Sequence, residues 1–133
     1  MEDSDIIALY FACAESAVSE TVKKYGAYLN AVAYNILRSR EDAEECVADT
    51  YIAAWNTIPP ERPRSLRCYL ARIARSRACD RRDCAVFVSR YYYGRSARET
   101  ASRLGLTERQ VKYRLARTRA SLKTYLETEG VEL

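Results

Sequence analysis

Apolar residues recur along this chain at spacings of three and four positions almost from end to end, the period of helices that each bury one face. Ile6, Ile7, Leu9 and Tyr10 predict a short helix over about 5–12. Val18, Val22, Tyr25, Leu29, Val32 and Ile36 then fall on one stripe of a long helix over about 15–37. Ser39 with Asp42 three positions on predicts the start of a third helix. The hydroxyl accepts an orphan backbone N–H, and the carboxylate suits the positive end of the helix dipole. Ala43, Val47, Thr50, Ala54 and Ile58 form its inner face. Glu41, Glu45 and Asp49, spaced four apart, with Glu44 beside them, form its outer face. The run Pro59-Pro60-Glu61-Arg62-Pro63 must end the helix, because proline has no N–H to donate and restricts the residue before it.

Ser65 is a cap for a fourth helix over about 66–82, with Leu66, Tyr69, Leu70, Ile73 and Ala74 facing inward. Arg67, Arg72, Arg75, Arg77, Arg81 and Arg82 decorate the rest of its surface. A fifth helix over about 84–93 carries Val86, Phe87, Val88 and Tyr91 to Tyr93 and ends at Gly94; a continuous or swapped arrangement of fused fourth and fifth helices is the alternative. Ser96 with Glu99 caps a sixth helix, and Thr107 with Gln110 a seventh that runs to about Glu127 with Val111, Leu115, Leu122 and Leu126 inward.

The segment from Ser96 to Leu115 is the sharpest motif: two capped helices separated by Gly105-Leu106-Thr107 form a helix-turn-helix. Ala101 is small where two helices approach closely, and Gly105 can take the positive φ that ends the first helix. Val111 packs back into the pair. The N-terminal turns of the second helix would enter a DNA major groove, presenting Thr107, Arg109, Gln110, Lys112, Tyr113 and Arg114, with Arg117, Arg119 and Lys123 extending the basic face. Arg and Gln read base edges through paired hydrogen bonds, while Lys and Arg also hold phosphates. A plain helical hairpin with a solvated arginine face is the alternative.

Composition fits this picture. With 133 residues, 48% hydrophobic, four glycines and three prolines, the chain suits one ordinary or two very small all-α domains, divided here as 1–82 and 84–133. No apolar run approaches the ~20 residues of a membrane span, and the start, Met1-Glu2-Asp3-Ser4, has no basic segment of a secretion signal, so a cytoplasmic location is expected. Cys13, Cys46, Cys68, Cys79 and Cys84 form no C-x-x-C pair and there is no histidine, so no metal or other cofactor is expected. The thiols are read as small buried or half-buried side chains. Lacking histidine and any glycine-rich phosphate loop, the chain is not expected to be an enzyme. Charge is sharply segregated: residues 1–60 hold ten acidic and four basic side chains, residues 61–133 eight acidic and eighteen basic. The front half suits a basic protein surface and the back half a polyanion. Spacing alone does not distinguish a binding role for the acidic and arginine-rich helices from solvation or mutual pairing.

The stretch Asn35–Trp55, with Arg40-Glu-Asp-Ala-Glu-Glu-Cys-Val-Ala-Asp49 at its centre, resembles region 2 of bacterial sigma factors of the extracytoplasmic-function (ECF) group. Ser65-Leu-Arg-Cys-Tyr-Leu-Ala-Arg-Ile-Ala-Arg-Ser-Arg-Ala-Cys-Asp80 is similar to the remainder of that region, and Val86–Ser96 followed by the helix-turn-helix resembles region 4. Together these cover about 25–127. The resemblance implies that Glu41, Glu44, Glu45 and Asp49 dock on the clamp helices of the RNA polymerase β′ subunit. It implies that Arg67, Arg72, Arg75, Ser76 and Arg77 engage the melted −10 strand, whose extruded bases need a pocket and whose phosphates need cations. The helix-turn-helix would read the −35 duplex of promoter DNA, and an anti-sigma factor is a further implied partner. The chain would supply recognition and strand separation, and the polymerase the chemistry.

Two departures stand out. Ser76 occupies a position where many relatives carry Asn. The family joins regions 2 and 4 by a flexible linker, whereas here Asp80-Arg-Arg-Asp-Cys84 runs almost directly into Val86. Five extended residues reach roughly 17 Å, against promoter elements several tens of Å apart at about 3.4 Å per base pair. The sigma reading therefore has two rivals: a linker-deleted module or decoy that binds polymerase without bridging both elements, and a plain helix-turn-helix regulator.

Overall fold

A computed structural model describes Met1–Gly130, so the last three residues of the expected 84–133 domain lie outside the described residues. The all-α expectation holds: the described residues form six α-helices and one π-helical turn, with no strand among them. The helices are α1 (Asp3–Phe11), α2 (Ser16–Leu37), α3 (Arg40–Thr57), α4 (Leu66–Phe87), α5 (Ala97–Leu104) and α6 (Glu108–Thr128). The π-helical turn, Val88–Tyr92, follows α4 directly. The expected fourth and fifth helices are thus one helix ending in that turn. Nothing in Asp80–Cys84 interrupts it, because every residue there has a helix-compatible backbone and neither Gly nor Pro intervenes. The chain divides into two compact units, Met1–Cys79 and Asp80–Leu133.

In the first unit Ile6, Tyr10, Leu29, Cys46, Ile58, Leu66 and Leu70 are almost completely enclosed. The inner face read for α3 is buried as expected, from Ala43 to Ile58. That of α2 is rotated: Ala17, Thr21, Leu29, Ala33 and Leu37 are buried, while Val22 is 44% exposed and Val18, Val32 and Ile36 only partly covered. Hydrophobicity alone misplaces the stripe because Thr21 is polar. Its hydroxyl is nonetheless satisfied inside, donating to the Ala17 carbonyl at 2.8 Å and sharing a 2.7 Å bond with Tyr10. Gly26 of α2 is buried as well, and a Cβ there would stand 3.4 Å from the Tyr51 hydroxyl of α3. Along the part of α4 in this unit the buried set is Leu66, Leu70, Ala71, Ala74 and Ala78, with Tyr69 and Ile73 half-buried. Tyr69 shares a 2.6 Å hydrogen bond with Thr57 of α3. The Cys46 thiol donates to the Ala74 carbonyl at 3.4 Å. At the N-terminus, Tyr25 donates to the Asp3 carboxylate at 2.7 Å, and burial together with that carboxylate pushes its phenol up to about 12.

The second unit rests on a much smaller core: Val86, Ala101, Val111 and Leu115, with Ala97, Leu104 and Leu106 against it. Leu122, expected inward, is 45% exposed, and Leu126 is only partly covered, because among the described residues the buried cluster of this unit reaches no further along α6 than Leu115. Arg82, expected on the surface, is buried; its guanidinium donates to the Leu104 carbonyl at the end of α5. A cation at a helix C-terminus meets both an orphan carbonyl and the negative end of the dipole. Arg82→Ala is therefore expected to lower the stability of this unit by about 1.5–3 kcal/mol, the range for a hydrogen bond to a charged group. Urea unfolding followed at the amides of α5 and α6 checks this.

Cys46 is buried as expected, but Cys13, Cys68 and Cys84 are exposed, which corrects the reading of all five thiols as buried or half-buried. Cys68 and Cys84 lie on outer positions of α4, and Cys13 lies in the turn that follows α1, at φ 55°. Among the described residues no helix is long and apolar enough to cross a membrane.

Candidate nucleic-acid interface

The helix-turn-helix is built by its caps. Ser96 accepts from the Glu99 amide at 3.1 Å and starts α5. Gly105 ends it at φ 67°, a left-handed conformation for which glycine carries no side-chain penalty. The Leu106 amide returns to the Ala101 carbonyl at 2.9 Å. Thr107 and Gln110 then form a reciprocal box: the Gln110 amide donates to Thr107 Oγ1 at 3.1 Å and the Thr107 amide to Gln110 Oε1 at 2.9 Å. Beneath the turn, the buried hydroxyls of Ser89 and Thr100 meet at 3.1 Å, and Arg95 donates to Ser89 at 3.3 Å.

These constraints fix which side of α6 faces outward. Arg109, Gln110, Lys112 and Tyr113 are exposed on its first turns while Val111 and Leu115 are buried. Arg109, Gln110, Tyr113, Arg114 and Arg117 line an open depression of about 370 Å³. Not all of the predicted readers are equally available. Gln110 Oε1 and Thr107 Oγ1 are engaged in the cap. Arg114 donates to Asp83 Oδ1 at 2.8 Å, and Arg117 donates to Asp83 Oδ2 through Nε at 3.1 Å and through Nη2. Asp83 is the residue that sequence reasoning missed. The Arg114/Arg117 spacing signals that two guanidiniums can share one acceptor. The acceptor, however, lies 31 and 34 positions away, and no local pattern points to it. Further along α6, Arg119 donates to the Tyr91 hydroxyl at 2.7 Å.

In the first unit, Arg72, Arg75, Ser76 and Arg77 are exposed on α4. Arg72, Arg75 and Ser76 lie within one turn on a common face, and Arg77 lies round the helix from them. Arg67 is also exposed, with its guanidinium 4.5 Å from the centre of the Tyr28 ring, a cation–π contact that orients it. On α3, Glu41, Glu44 and Glu45 are exposed and Asp49 is partly buried.

Fold and surface together define a class: an all-helical protein of two units, the second carrying a helix-turn-helix with a cationic outer face. Sequence and structure comparison narrow it. The sequence profile of Sigma-70 region 2 matches residues 21–85, and that of Sigma-70, region 4 matches residues 81–122. A solved structure of CnrH in complex with the cytosolic domain of CnrY is similar with a TM-score of 0.55 and 25% identity, over 95% of this chain and 97% of that one. No curated protein matches the chain in sequence. The chain belongs to the sigma-70 family and carries regions 2 and 4, the layout of the ECF type. It acts in promoter recognition and transcription initiation, which implies RNA polymerase and promoter DNA as partners.

Proposed function

We propose that this sigma factor divides its labour along the charge boundary of the sequence, working in the cytoplasm with the polymerase supplying all the chemistry. The second unit reads the −35 duplex with the N-terminal turns of α6. The exposed row of Arg109, Lys112 and Tyr113 on a helix whose start is fixed by a reciprocal cap carries this reading. Arg109 is the base reader, since its side chain is exposed on the first turn; Lys112 holds phosphate; Thr107 and Gln110 act mainly by fixing the helix start, with Arg114 and Arg117 behind them. In the first unit, Arg67, Arg72, Arg75, Ser76 and Arg77 engage the −10 strand, and Glu41, Glu44, Glu45 and Asp49 dock on the β′ clamp helices. The similarity to CnrH, solved with the cytosolic domain of CnrY, supports an anti-sigma partner that competes for these surfaces.

One observation favours a second reading. The region 2 and region 4 matches overlap at 81–85, so no sequence is left for a linker between them. A chain that binds polymerase but does not bridge both promoter elements would act as a decoy. Transcription in vitro with purified core polymerase and a promoter library separates the two. Initiation at a defined promoter, with Arg109→Ala lowering −35 discrimination by about 1–3 kcal/mol, is the expected result. Core binding without initiation would favour the decoy.

A further inference from the structure

We infer that Asp83 is a specificity-determining residue of the −35 reader, holding Arg114 and Arg117 so that their charge is withheld from arbitrary duplex DNA. The inference rests on the proposed role of α6. Asp83 belongs to the C-terminal part of α4, yet both of its carboxylate oxygens face α6. Its side chain is only 13% exposed and that of Arg114 20%, so this ion pair is largely shielded from solvent, while Arg117 is 43% exposed. A carboxylate so enclosed between two guanidiniums is hard to displace: pulling either arginine away leaves a desolvated charge behind.

The consequence for DNA follows from counterion release. Each side chain that neutralises a phosphate adds about 0.9 to the salt slope of binding, and that attraction is blind to sequence. With Asp83 in place, the sequence-blind attraction of the first turns comes chiefly from Arg109 and Lys112, on the outer face. Arg114 and Arg117 reach a phosphate only by sharing or leaving Asp83. They therefore contribute where the duplex is seated closely enough to offset that loss, which is the correctly matched site. Asp83 touches no base. It sets discrimination by fixing the two arginines, and so acts as a positioning residue.

Asp83→Asn keeps the shape and removes the charge. Binding of the full-length chain to sheared genomic DNA and to a randomised duplex pool, over a range of salt, tests the inference. The variant is expected to bind genomic DNA roughly three- to tenfold more tightly at low salt, with a slope steeper by about 0.9–1.8. Enrichment of preferred sites from the pool should fall by a similar factor. Asp83→Glu, which retains the carboxylate, should restore much of both. An unchanged slope and enrichment in Asp83→Asn would overturn the inference. So would a fall of specific and non-specific binding together with lost helicity, which would mark Asp83 as merely structural. A steeper slope that persists when Arg114 and Arg117 are both replaced by Ala would overturn it as well. If the wild-type chain enriches no duplex at all, the −35 reading itself falls, an outcome distinct from a wild type that enriches sites equally well with and without Asp83.

Discussion

Leu115→Ala is expected to unfold the helix-turn-helix rather than merely loosen it. Leu115 is 4% exposed and, among the described residues, shares a core cluster of four buried residues with Val86, Ala101 and Val111. Truncating a buried leucine costs about 2–5 kcal/mol, the lost transfer energy plus the cavity left behind. A unit of this size has a total stability of about 3–8 kcal/mol at the usual per-residue values. The substitution therefore removes a large share of what holds α5 against α6, and too few neighbours remain to close the cavity. Amide hydrogen exchange on the full-length chain, resolved by residue, measures the effect. Protection across Ala97–Leu104 and the first turns of α6 should fall by two or more orders of magnitude, since each 1.4 kcal/mol is about tenfold. Duplex binding should be lost with it. Leu122→Ala is the internal control: at 45% exposure it should change stability by no more than about 0.5 kcal/mol. Equal effects at the two leucines would mean that the core extends further along α6 than its burial indicates.

The contrast between Leu115 and Leu122 also shows what the sequence makes legible. Both lie on the apolar stripe of α6, and spacing treats them alike. Periodicity reports which face of a helix is apolar, not how far along that helix another element covers it. Caps are different, because a cap is a local interaction between residues three apart. Ser39, Ser65, Ser96 and Thr107 all accept the backbone amide that their spacing predicts. The helix-turn-helix was readable for the same reason, its turn being set by Gly105 and the Thr107–Gln110 pair. What stayed hidden is non-local polar pairing. Thr21 is buried because Tyr10 and a carbonyl satisfy it, and Arg82 is buried with its Nη2 donating to the Leu104 carbonyl. Asp83 is the sharpest case: in sequence it is one acid among arginines, and its pairing with Arg114 and Arg117 exists only once α4 and α6 are folded together. That pairing qualifies the view of the back half as a uniform cationic surface, since two of the arginines assigned to the reader have a carboxylate partner of their own.

Reversing the acidic face of α3 is expected to have the largest effect on polymerase binding. Glu41, Glu44 and Glu45 are exposed and Asp49 partly so, while the opposite side of the same helix, from Ala43 to Ile58, is buried. The two faces therefore separate, but Glu45 and Asp49 also interact with other residues of the chain, so their reversal acts on stability as well as on docking. If this face meets a basic surface on the β′ clamp helices, replacing all four acids by Lys turns attraction into like-charge repulsion. Such juxtaposition costs several kcal/mol, and about 3 kcal/mol is already a loss of more than 100-fold in affinity for core enzyme. Part of any effect could come through the helix itself, because Glu41 lies in the first turn, where a carboxylate stabilises by about 0.3–1 kcal/mol. The measurement must therefore pair affinity with a thermal melt. A variant that keeps its melting temperature within a few degrees, binds core at least 100-fold more weakly and still binds duplex DNA would locate the polymerase contact on α3. The salt dependence gives a second check: wild-type core binding should weaken as salt rises, and the residual binding of the variant should not. Undiminished core binding by a folded variant would leave the acidic face as solvated surface, and the docking role would have to move to another part of the first unit.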